Sequence, residues 1–224
     1  MKDSEAEYNK LIAIFEKQKI LQKEDDILEI FQLIYSIERN QYDIYQYIFI
    51  FEKIFQYFLH DHETSISGSK IFQIYLASRR ILLLLLEKKL IKPDETKLSI
   101  YIDGNDQLFL YPYLGLFIKD FVVNSSQQKE IEQIENFEEK RHIGENDSKI
   151  CTLIRQDSIV EFITYVNEIN LPLNSQISHS IYETHSFLSE KNPTLIEYAT
   201  FFGSIQIFKY LINKKVELNS SLWL

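Results

Sequence analysis

Between residues 194 and 219 two short apolar helix patterns meet at Gly203-Ser204, with one small residue, Ala199, inside the first. A helix pair this short cannot bury its apolar face by itself, so it must stack on a neighbour, and repeats of it decide the fold. A second copy stands upstream. DSIVEFITYV at 157–166 lies on GSIQIFKYLI at 203–212, matching serine, isoleucine and phenylalanine and placing Tyr165-Val166 over Leu211-Ile212 on the same face. The preceding helix patterns also correspond: Ile150, Leu153 and Ile154 stand where Ile196, Ala199 and Thr200 stand, and both pairs finish in Leu-Asn, at 173–174 and 218–219. A weaker echo, ASRRILLLLLEKK at 77–89, matches the serine, an isoleucine, a leucine and both lysines of 203–215.

Composition agrees with a helical reading. The 224 residues are 45% apolar, enough for the core of one large domain or two small ones, and only 5 Gly and 4 Pro interrupt them. The 16 Phe and 14 Tyr accompany plentiful Ile, Asn and Lys, a bias that codon usage explains without invoking function. A formal charge of −9 repels phosphate backbones and argues against nucleic acid as a partner. The first ten residues are polar and charged, unlike a secretory signal, and the single cysteine, Cys151, permits no internal disulfide. A cytoplasmic location is therefore expected. The apolar run at 81–86 is bracketed by Arg79, Arg80, Lys88 and Lys89 and falls far short of the roughly 20 residues a bilayer requires. The longer run at 42–59 carries Asp43, Gln46, Glu52, Lys53 and Gln56 as a narrow polar stripe, so it reads as a central core helix rather than a membrane insertion.

Helical patterns cover about 4–22, 24–38, 41–61 and 69–90, with a break at Ser65-Ile-Ser-Gly-Ser69. The pattern weakens from 92 to 121, where Pro93, Asp103-Gly-Asn-Asp106 and Pro112 signal turns. Residues 124–148 are polar and acidic, with a thin apolar face of Ile131, Ile134 and Phe137. The expected organisation is a helical domain at 1–123, an acidic connector at 124–146 and two helix pairs at 147–224. The fold class is all-α, ending in a short α-solenoid.

The unit TLIEYATFFGS, followed by Ile205, Phe208, Leu211, Ile212 and KVELN, resembles an ankyrin repeat without a gap over residues 194–219. Three departures stand out: Leu195 for the usual proline, Glu197 for the histidine and Lys215 for the second glycine. The repeat-defining residues would be Thr194, Glu197, Ala199, Gly203 and Leu211. Thr194 with Glu197 forms a T-x-x-E capping box, which satisfies helix-start amides without the histidine. Ser158 with Glu161 repeats that logic. Gly203 can take a positive φ and end the first helix. The wording IEYATFFGSIQIFKYL, with SIYETHSFL and SRRILLLLLEKK before it, is similar to an expanded group of protist ankyrin-repeat proteins with an amino-terminal helical domain of unknown function. The resemblance implies a binding scaffold and carries over no catalytic residue. Further repeats normally follow in that group, so Leu222-Trp223-Leu224 is expected to begin a next unit of a truncated array.

No constellation argues for an enzyme, a cofactor or a metal. In His60-Asp-His-Glu63 the two histidines point apart on a helix, where ligands would sit at i and i+4. His142, His179 and His185 read as surface or loop residues. Cys151 lies in an apolar helix pattern and reads as core. Asp103-Gly-Asn-Asp106 lacks the spacing of a calcium loop. One pair is more pointed: Phe201 and Phe202, just before the glycine, occupy positions that face the concave surface in ankyrin repeats, and Arg155 and Gln156 hold them one unit earlier. Aromatics there would anchor a partner protein. The simpler reading packs them internally. The expected function is a non-catalytic protein-binding scaffold. The alternative is a helical assembly module whose amino-terminal helices self-associate and whose repeats form a cap.

Overall fold

The computed structural model describes residues 2–18, 23–40, 45–61, 66–91, 108–110, 113, 136–189 and 192–218. Among them the protein is all-α, and its only β pairing is an isolated bridge. The chain divides into two compact units, Met1–Ile134 and Glu135–Leu224.

The first unit contains α1 (Lys2–Gln18), α2 (Glu24–Asn40), α3 (Tyr45–Gln56), which runs on as a π turn (Tyr57–Asp61), α4 (Gly68–Ile74) and α5 (Arg79–Glu87). Helix α2 shows why: Glu24, Asp25 and Asp26 favour the positive end of the helix dipole, and Ile27, Phe31 and Ile34 recur on one buried face. Phe31 is the hub of an aromatic core. Its ring lies 5.1 Å from Phe55, 6.0 Å from Phe58 and 6.5 Å from Tyr75, and the Tyr75 hydroxyl donates to the Phe31 carbonyl at 2.7 Å. The pattern expected as one helix over 69–90 is two, because the chain turns at 75–78 and Ser78 caps α5 by accepting from the Ile81 amide. The weak echo at 77–89 thus begins at a helix–turn–helix corner. Residues 92–107, with the Asp103-Gly-Asn-Asp106 turn, and His62 and Glu63 of the histidine cluster lie outside the described residues.

The second unit begins before the expected boundary. Helix α6 (Phe137–Ile143) follows Asn136, and Phe137, Arg141 and Asn146, placed by sequence in a connector, are buried here. The first helix pair is α7 (Lys149–Arg155) and α8 (Ile159–Glu168). A short α9 (Ser186–Ser189) precedes the second pair, α10 (Leu195–Phe201) and α11 (Ile205–Asn213).

Both corners are built alike. Asp157 and Gly203 take φ of 49° and 65°, and the following serine amides return to Leu153 O and Ala199 O at 3.1 and 2.8 Å. Thr194 and Glu197 form the full capping box, with Thr194 Oγ1 accepting from the Glu197 amide and Glu197 Oε2 from the Thr194 amide. The expected Ser158–Glu161 box is absent: Ser158 makes no side-chain cap. Past the corner the gapless sequence register also fails. Phe162 and Val166 are the buried pair of α8, as Ile207 and Leu211 are of α11, so Phe162 takes the place of Ile207 and not of Phe208. Helix α8 has ten residues where α11 has nine, and the extra residue turns the face. The ends then coincide: the Leu171 amide donates to Val166 O at 2.9 Å and the Val216 amide to Leu211 O at 3.1 Å. In α5 the Leu90 amide donates to Leu85 O at 2.9 Å in the same way. These endings place Asn170, Lys215 and Lys89 at φ of 52°, 61° and 55°. Lys215 therefore adopts the left-handed conformation that favours glycine at a helix end.

Candidate functional site

The two pairs of the second unit are fixed to each other at their corners. Asp157, in the first corner, accepts from the Gln206 and Ile207 amides at 3.0 Å, capping α11 from the neighbouring pair. Buried Ser204 donates to Ile154 O at 2.5 Å. Orphan amides at the start of α11, which its own Ser204 does not cap, are thus satisfied by a side chain about fifty residues upstream.

Arg155 secures the first helices. Its Nε meets Glu145 Oε2 at 2.7 Å, and one terminal nitrogen donates to Asn146 O at 2.8 Å and to the Tyr198 hydroxyl at 2.7 Å. Five fixed donors suit this bridging role, which a lysine could not fill. Burial raises the Tyr198 hydroxyl far above its ordinary pKa, and the neighbouring Cys151 and Glu183 push the same way. Cys151 is itself pushed up to about 11 by burial, which keeps it a thiol and a poor nucleophile at neutral pH.

The connector between the pairs closes on itself through the Gln176–Thr194 bridge and then folds back over the segment before α7. Thr184 donates to Gly144 O from both its amide and its hydroxyl, and Asn146 Nδ2 donates to Ser178 O at 3.0 Å. Glu183 accepts from the Asn146 and His185 amides, and its Oε1 lies 2.9 Å from His185 Nδ1. His185, expected at the surface, is buried with Glu183, whereas His142 and His179 are exposed. A buried carboxylate needs such partners, since an uncompensated charge there would cost several kcal/mol.

Above this latch sits an aromatic cluster. The His185 ring meets Phe201 edge-on at 5.2 Å and Phe202 at 5.9 Å, and Phe187 stacks on Phe201 at 5.8 Å with planes 4° apart. Tyr198 lies 4.7 Å from Phe202, and the Arg155 guanidinium sits 5.9 Å over the Phe202 ring. Three of the four predicted binding residues, Arg155, Phe201 and Phe202, are therefore together. Gln156 is exposed at the corner. Phe201 and Phe202 are half-buried, with one side against the latch. His185, Phe187, Glu183, Asn146 and Asp157 were missed by sequence reasoning. Within SIYETHSFL no local spacing marks a residue that acts across 30 to 50 positions.

Beside the latch, Asn146, Ser178, Glu183, Asn192 and Tyr198 line a cavity of about 10 Å³. That is at the lower limit for one water molecule. Among the described residues no three of His, Cys, Asp and Glu gather as a metal site, and no helix is long and apolar enough to cross a membrane. No family model matches the chain, and neither a curated protein nor a solved structure does.

Proposed function

We propose that this chain is a non-catalytic protein-binding scaffold of ankyrin-repeat type that holds a partner protein through the face carrying Phe201 and Phe202, beside Gln156 and Arg155. The observation that supports this most is a half-buried aromatic group set in a frame whose two helix pairs are locked by Asp157, Ser204 and Arg155. Rings held in this way lose little entropy when a partner covers them, and aromatics with two side-chain torsions commonly dominate binding energy. Arg155 positions the rings rather than touching the partner, because its nitrogens are already committed inside the unit. Gln156 contributes from the rim.

The test is affinity capture with mass spectrometry from cell lysate, comparing the natural chain with the Phe201→Ser/Phe202→Ser variant below its melting temperature. Loss of the same set of proteins is expected. Recovery of an unchanged set by a folded variant would remove these rings from the binding face.

A second reading, assembly through the first unit, draws on an open groove of about 440 Å³ lined by Leu28, Gln32, Tyr35, Lys70, Gln73 and Ile74. Leu33 on α2 is also 60% exposed. Light scattering across a concentration series checks it, and a mass that stays monomeric throughout would dismiss it.

A further inference from the structure

Helix α11 carries an apolar stripe on its outer side. Ile205, Phe208 and Ile212 recur at i, i+3 and i+7, so at 3.6 residues per turn they share a face. That face lies about half a turn from Tyr210, whose ring meets Phe162 of the first pair at 6.2 Å. Ile205 is 60% exposed and Ile212 37%, whereas Ile207 and Leu211 are buried. Stacking does not require this stripe. In the register set by burial, with Phe162 on Ile207 and Val166 on Leu211, the counterparts of Ile205 and Ile212 are Val160 and Asn167. Both stay exposed although the second pair is clamped beside α8. The two helices also differ in charge. Where α8 presents Glu161, Thr164 and Glu168, α11 has Gln206, Lys209 and Asn213, and residues 205–218 hold three lysines against one glutamate. Lys209 flanks the stripe and Lys215 follows it, both exposed and, among the described residues, neither in an ion pair. In a chain of formal charge −9 this surface is locally apolar and basic.

We propose that the outer face of α11 docks an acidic amphipathic helix of a partner protein, whose apolar residues lie along Ile205, Phe208 and Ile212 while its carboxylates meet Lys209 and Lys215. This surface is separate from the Phe201–Phe202 face and does not depend on it. An apolar stripe at i, i+3 and i+7 matches the same spacing on a facing helix, and removing it from water supplies the affinity. The lysines select the sign of the partner and speed its encounter. A second copy of α11 would set lysine against lysine, and an anionic bilayer would meet a chain of net charge −9.

The probe is a fluorescein-labelled peptide of two acidic heptads, Glu-Ile-Glu-Glu-Leu-Glu-Glu repeated, added to the full chain and followed by anisotropy. It should bind the natural chain, while the same peptide with lysine for every glutamate should not. Ile205→Asn/Ile212→Asn, which gives α11 the polar residue of α8, should weaken binding at least about tenfold. Lys209→Glu/Lys215→Glu should weaken it about tenfold and admit the basic peptide. No binding of the acidic peptide up to roughly 1 mM overturns the proposal, as do equal affinities for the two peptides or an affinity that Ile205→Asn/Ile212→Asn leaves unchanged. Two further results would assign the stripe to another occupant and also overturn it: a dimer in light scattering that Ile205→Asn/Ile212→Asn dissolves, or binding to phosphatidylserine vesicles that the same variant loses. Should the variants not fold, an NMR titration of the unaltered chain decides. The amide shifts of Ile205, Phe208 and Ile212 should move with added acidic peptide. Shifts confined to Phe201 and Phe202 would refute this surface and leave the binding reading standing.

Discussion

The two helix pairs of the second unit solve one corner in different ways. In the second pair Gly203 supplies the left-handed φ and nothing else; a Cβ added there would meet no atom within 4 Å. In the first, Asp157 adopts the same kind of conformation and spends its carboxylate on the amides of α11. Aspartate tolerates the left-handed region better than most residues because its short polar side chain bonds locally. The difference teaches that one backbone position can serve either as a bare hinge or as a clamp on the next unit. The two first helices differ likewise: Ile154 is buried and its carbonyl receives Ser204, whereas Thr200, its counterpart, is exposed. The first pair clamps its successor through that carboxylate, and the second has glycine at the corresponding position.

Six variants sharpen or break that comparison. The largest effect should come from Phe201→Ser/Phe202→Ser, which strips two half-buried rings from the cluster and should cost about 2 to 4 kcal/mol in urea unfolding. Gln156→Ser, at an exposed position of the first pair, should stay within about 0.5 kcal/mol. Equal losses from the two would mean that the cluster contributes no packing. Gly203→Val should cost about 1 to 3 kcal/mol, wholly as backbone strain because the site is open. An unchanged melting curve would show that the corner can relax out of positive φ.

Asp157→Ala should cost about 1 to 2 kcal/mol through the lost cap. Asp157→Gly should cost less, since glycine relieves the strain that alanine keeps. If the two variants melt alike, the clamp and the conformation are not separable as described. The smallest effect is a gain. Lys215→Gly removes the strain of a left-handed lysine and should stabilise by roughly 0.5 to 1 kcal/mol, less the entropy that glycine adds to the unfolded chain. Destabilisation would show that the Lys215 side chain contributes more than its backbone costs.

Much of the second pair was legible in the sequence. Thr194, Glu197, Ala199, Gly203 and Leu211 each act within a turn or two of their own position, so local pattern finds them. The α-helical class followed from periodicity and scarce glycine. What escaped acts at a distance or by one residue. Nothing near Asp157 reveals that its partners are at 206 and 207, and nothing near Thr184 points to Gly144. The extra residue of α8 was hidden because the identities at Ser158 and Phe162 favour a gapless match, while burial follows the face and not the letters. Polar neighbours give His185 a surface reading, whereas it is buried together with Glu183, two residues away.

The connector has a consequence in time. Within each pair the contacts are local, but those that join the pairs span 43 to 50 residues, from Arg155 to Tyr198 and from Ile154 to Ser204. Helix hairpins close in microseconds, whereas bringing distant segments together first requires ordering the chain between them. The expectation is that each hairpin forms early and that docking across 171–193 completes folding. Stopped-flow kinetics on Asp157→Ala would then show faster unfolding and an almost unaltered refolding rate. Slower refolding with unfolding unchanged would place the clamp in the folding nucleus instead, and the connector would have to be organised before the helices it joins.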